Sequence, residues 1–120
     1  MTNPDQAQEL AGHAAGEWLT HAEKGDAAET WARSSTTFRE ALSQEAWAAS
    51  LKAAQAGMGR PLERTVATSE YVEEIPGAPD GQYVVFTYTT RFERKKNGTE
   101  TVVVEVDTDG EWRVSGYFVR

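Results

Sequence analysis

Apolar residues return at spacings of three and four over roughly the first 57 residues, then switch to alternation from Leu62 onward. The first pattern predicts helices. Asn3 or Thr2 can cap a helix whose first position is Pro4, with Asp5 near the positive end of its dipole. Ala7, Ala11, Ala14, Trp18 and Ala22 then form a stripe of small side chains with one large one. Lys24-Gly25-Asp26 stops that helix and caps a second, which carries Trp31; Ser34-Ser35-Thr36-Thr37 breaks the pattern again. Ser43 is the expected N-cap of a third helix, with Trp47, Leu51 and Ala54 on one face and Gly57 or Gly59 at its end.

The second pattern predicts four strands. The first runs from about Leu62 to Ile75 and ends at Pro76-Gly77-Ala78-Pro79-Asp80-Gly81, where prolines and glycines force a turn. Val84, Phe86, Tyr88 and Phe92 share one face of the next strand, and Asn97-Gly98 reads as its two-residue hairpin turn. Val102, Val104 and Val106 share a face of the third strand. Asp109-Gly110 turns into the last, where Trp112, Val114 and Phe118 are expected on the core side. Helices followed by a meander read as α+β, three N-terminal helices covering one face of a four-stranded antiparallel sheet, in a single domain over residues 1–120.

Charge and composition narrow the chemistry. Nineteen acidic against twelve basic residues leave a net charge of −7, which disfavours nucleic acid or an anionic membrane surface as a partner. No apolar run approaches the ~18 residues of a membrane span. The chain has no cysteine, which removes disulfides and thiolate chemistry. His13, Glu17 and His21 recur at four-residue intervals, but the helical wheel sets His13 and Glu17 on the solvent side, so no metal and no cofactor is expected. No nucleophile elbow or phosphate-binding glycine loop is present.

The matching pieces Trp18-Leu19, Gly25-Asp26, Thr30-Trp31, Phe38, Trp47, Pro76-Gly77-Ala78-Pro79-Asp80-Gly81-Gln82-Tyr83, Thr99-Glu100-Thr101-Val102 and Asp109 to Tyr117 resemble the DUF4019 proteins, small bacterial domains of unknown function. The resemblance implies the wider NTF2-like, cystatin-like fold, in which helices pack into a curved sheet and often leave a pocket. It brings no established activity or catalytic residue. Members are commonly exported behind a leader that Met1-Thr2-Asn3-Pro4 does not show, so the chain is expected to be either an exported mature domain or cytoplasmic.

Two sites are expected. Arg64 shares parity with Leu62 and Val66, and an inward arginine needs an acidic partner or an anionic ligand. It either pairs with a helix Asp or Glu or walls a small pocket bounded by Trp31, Tyr88 and Trp112. On the opposite parity, Tyr83, Val85, Val103, Tyr117 and Val119 form an apolar outer patch suited to an interface, with a homodimer as one occupant. The expected function is a non-enzymatic module that binds a small molecule or a protein. The alternative is a pocket enzyme of isomerase or dehydratase type, which some relatives with this fold represent. It needs a carboxylate base, and none is expected on the core face of the last three strands.

Overall fold

The computed structural model describes residues 3–120. Four helices precede four strands: α1 (Pro4–Glu23), α2 (Ala27–Arg33), α3 (Thr36–Ala41), α4 (Gln44–Met58), β1 (Pro61–Val72), β2 (Tyr83–Phe92), β3 (Lys95–Val106) and β4 (Trp112–Val119). Each helix starts on a short polar side chain that accepts a backbone N–H of the first turn: Asn3 from Asp5, Asp26 from Glu29, Ser35 from Phe38 and Ser43 from Ala46. Thr2, the other candidate cap of α1, lies outside the described residues.

Short α3 is one helix more than the pattern predicted. It exists because Ser35 caps it while the Leu42 carbonyl accepts the Trp31 indole N–H at 2.8 Å, which fixes the exit.

The strands form one antiparallel sheet in the order β1-β2-β3-β4, and the helices cover one face of it. Small residues let α1 lie close: Ala7, Ala11 and Ala15 are buried, and Gly12 sits against the Phe86 ring. Trp18, Phe38 and Trp47 pack with Val84, Val102, Val104 and Val114. Among the described residues no helix is long and apolar enough to cross a membrane.

Two features of the sheet differ from the sequence expectation. The β2–β3 turn falls at Glu93-Arg94, and Asn97-Gly98 lies inside β3 with Gly98 opposite Thr90. A turn at Asn97-Gly98 would pair Lys96 with Thr99, which sets Val104 opposite Arg91 and Val102 opposite Glu93. That register matches an apolar face with a polar one. The observed register instead pairs Val84 with Val104 and Phe86 with Val102. Gly98 is required where it lies, since a Cβ there would come within 2.5 Å of the Phe92 ring.

The second difference is a bulge in β4. Val104 pairs with Val114 but Val103 pairs with Gly116, so Ser115 is an extra residue. One inserted residue exchanges the faces of everything beyond it. Tyr117 and Val119, expected outside, turn toward the helices, and Phe118, expected in the core, is 64% exposed.

Candidate functional site

The inserted Ser115 also builds the site. Tyr117 is pushed inward beside Glu100 of β3, which is 1% exposed and lies on the same alternation as Val102 and Val104. No acid was expected on this face, so Glu100 corrects that reading. A buried carboxylate must be surrounded by donors, and here four bonds reach its two oxygens. Oε1 accepts from Arg64 Nε at 2.7 Å and from Thr90 Oγ1 at 2.6 Å. Oε2 accepts from Arg64 Nη2 at 3.2 Å and from the Tyr117 hydroxyl at 2.5 Å.

Strand register brings these groups together. Arg64 lies opposite Thr90, while Glu100 lies opposite Tyr88 on one side and Val119 on the other. Arg64 therefore reaches across β2 to β3, and its remaining arm, Nη1, pairs with Glu23 at the end of α1. Of the two expectations for Arg64, the helix-acid pairing describes part of its environment and the strand carboxylate Glu100 the rest.

Charge and burial set the protonation of this cluster. Burial raises the Tyr117 hydroxyl far above its ordinary value, and the Glu100 charge with its hydrogen bond adds to the rise. Tyr88 is also raised, chiefly by burial, with Arg64 opposing and Glu100 reinforcing. Burial alone would lower the Arg64 guanidinium, but the fork to Glu100 and the contact with Glu23 hold it above its usual value.

Beside the cluster, between α1, α4 and the sheet, is an apolar cavity of about 30 Å³ lined by residues including Leu19, Ala22, Ala54, Met58, Phe92 and Val119. Glu23, Arg64, Glu100 and Tyr117 supply its polar wall. Such a space has room for about two water molecules. The cavity adjoins a groove of about 270 Å³ that carries Lys24, Arg60, Glu93 and Arg94 and shares Glu23, Gln55, Gly59 and Pro61 with it. Gly59, with φ of 78°, ends α4 at this rim. Arg94 donates to the Ala56 carbonyl at 3.2 Å and so closes the helix end.

The expected pocket residues are divided by the fold. Arg64 lines the cavity, and Tyr88 lies directly across from Glu100. Trp31 and Trp112 sit elsewhere. Trp31 is half-buried in α2 and tied to the Leu42 carbonyl; Trp112 lines a separate groove with Ala14, Glu17 and Arg33. The signal for Glu100 was present in the alternation of β3, whereas Tyr117 needed the bulge.

The expected outer patch is also redistributed. Val85 and Val103 stay on the outer face, joined there by Phe118. Tyr83 is only 5% exposed because its own loop folds over it, its hydroxyl donating to the Pro79 carbonyl at 2.5 Å. Tyr117 and Val119 belong to the cavity. On α1, His13 and Glu17 are exposed, and among the described residues no group of three or more His, Cys, Asp or Glu side chains converges as metal ligands would.

Comparison with known proteins agrees with this architecture. A crystal structure of a Streptomyces avermitilis protein of the NTF2-like family, provisionally named a dehydratase, superimposes with a TM-score of 0.56 at 12% identity over 98% of this chain and 97% of that one. At that identity the likeness establishes the fold alone. No curated protein matches the sequence. The profile of a family of proteins of unknown function, DUF4019, matches residues 14–117, from the middle of α1 through the inward Tyr117. The chain belongs to the DUF4019 family.

Proposed function

We propose that this protein is a non-enzymatic binding module that takes a small molecule at the mouth between α1, α4 and the sheet. The observation that carries this reading is the joining of an apolar cavity to a charged, fully hydrogen-bonded wall of Arg64, Glu100 and Tyr117. Sites for small ligands commonly combine an apolar lining with a few converging polar groups. Native mass spectrometry of protein purified from its own source tests it. A small molecule that co-purifies and leaves on unfolding is the expected result, and repeated recovery of the bare chain contradicts the reading.

A second reading, a pocket enzyme of isomerase or dehydratase type, draws support from the buried carboxylate beside two tyrosines and from the name of the Streptomyces neighbour. A general base needs a free lone pair within reach of the substrate proton. Glu100 accepts two bonds on each oxygen, so the geometry favours binding over proton abstraction. The outer face of Val85, Val103 and Phe118 suits contact with a second copy of the chain, and we propose a homodimer as its use.

A further inference from the structure

Two of the three Arg64 nitrogens, Nε and Nη2, are committed to Glu100 deep in the wall. Nη1 faces the mouth, and the group on it is the Glu23 carboxylate. Glu23 has weak reasons to stay. It is the last residue of α1, where the negative end of the helix dipole disfavours a carboxylate. Its side chain is 39% exposed, and it shares one guanidinium with the buried Glu100 charge. Among the described residues Arg64 is the one ion-pair partner of its carboxylate.

Behind it lies the apolar cavity, and the groove outside it carries Lys24, Arg60 and Arg94 together with Glu93. When the Glu23 side chain swings outward, its own volume joins the cavity and one arm of Arg64 loses its acceptor. What fits that space is a carboxylate on a short alkyl chain. The space behind Glu23, about 30 Å³ and open toward the groove, suits a short chain.

We infer that Glu23 is an internal stand-in for the ligand's carboxylate, and that the mouth takes a short-chain monocarboxylate which displaces it from Arg64. The inference rests on the binding reading above and supplies its ligand class. Glu23 then acts as a built-in competitor that sets the affinity. A plug seated nine-tenths of the time weakens an incoming ligand about tenfold.

The test is an NMR titration of the full chain and of its Glu23→Ala variant with sodium butyrate and, separately, with butyramide at fixed ionic strength. The resonances read are the Leu19 and Met58 methyls and the Arg64 Nε–H. Butyrate should bind the variant about tenfold more tightly than the wild type, and in the variant it should bind more tightly than butyramide, which has the same shape and no charge for Arg64 to hold. A Glu23→Gln variant, which keeps the shape of the plug without its charge, should fall between. Equal butyrate affinity in wild type and Glu23→Ala, or butyramide binding the variant as tightly as butyrate, overturns the inference. Saturable butyramide binding at Leu19 and Met58 without butyrate binding removes the inference and leaves the binding reading standing. No saturable shift from either compound in either protein removes the inference, and the binding reading then stands or falls on the native mass spectrometry above.

Discussion

The two ends of the helix–sheet interface solve the problem of buried polar atoms in different ways. At the aromatic end the buried indole N–H groups are met by neutral acceptors. Trp18 Nε1 donates to the Thr30 carbonyl and to Ser34 Oγ, and Trp47 Nε1 donates to Thr30 Oγ1 at 2.8 Å. The rings pack at centroid separations of 5.5 Å for Trp18–Trp47 and 5.3 Å for Phe38–Trp47. At the mouth the buried acceptor is a carboxylate held by a guanidinium, with a second carboxylate at the surface. Tyr117 spans both, its ring 5.3 Å from Trp18 and its hydroxyl on Glu100. A neutral network asks only that geometry be kept. A charged one is stable only while all its members are present, and an outer member that is exposed can be exchanged for something else.

Breaking the charged end should have the largest effect. Arg64→Ala strands Glu100 in the core, and removal of one member of a buried pair costs about 3–5 kcal/mol. Urea unfolding should show that loss, and the double variant Arg64→Met with Glu100→Leu should be more stable than Arg64→Ala alone. If the double variant is the weaker of the two, the stranded-charge explanation is wrong. Tyr117→Phe removes a single donor to a charged acceptor, worth about 1.5–3 kcal/mol, by the same measurement.

At the neutral end, Thr30→Val leaves the Trp47 N–H without its acceptor and should cost about 1–3 kcal/mol. Its effect should be independent of salt, which distinguishes the two ends. A loss that varies strongly with ionic strength would contradict a neutral Trp47–Thr30 bond.

The ends should also differ in their response to pH. Because the folded state raises the Tyr117 and Tyr88 hydroxyls, the stability this provides is complete below the unfolded tyrosine value of about 10 and is lost as pH rises through the folded values. Ultraviolet titration should show the Tyr117 phenol ionising last of the four. Tyr117→Phe should delete the latest step, and an unchanged titration curve contradicts the assignment.

The acid side is governed elsewhere. Burial tends to raise Asp107, but donors from Thr108, Thr36 and Arg113 outweigh it and hold the group below its ordinary value. Its stabilisation is present above the unfolded value of about 3.9 and is lost as pH falls through the folded one. Smallest of all, Phe118→Ser should change stability by no more than about 0.5 kcal/mol. Sedimentation should show it weakening self-association if the outer face joins two copies.

Much of the fold was legible because local signals and long-range pairing agree. Asn3, Asp26 and Ser43 cap as their side chains allow, and Gly110 with φ of 85° makes the last turn. Asn97-Gly98 misled because a local turn preference competes with the register of two apolar faces, and the faces prevail. The site was half legible. Arg64 announces a need for an acid, and Glu100 follows the valine alternation of β3, yet reading it as a core residue requires accepting a buried charge. Tyr117 was hidden because nothing in Val114-Ser115-Gly116 marks which residue the sheet leaves unpaired.

The central claim is that the charged mouth is where this protein binds, and a methyl-resolved NMR survey of the full chain against small acids, amides and alcohols tests it most directly. The account predicts saturable shifts confined to Leu19, Met58 and Val119, with the Arg64 Nε–H moving in step. Shifts gathered on Val85, Val103 and the Phe118 ring, with the mouth unmoved, contradict it.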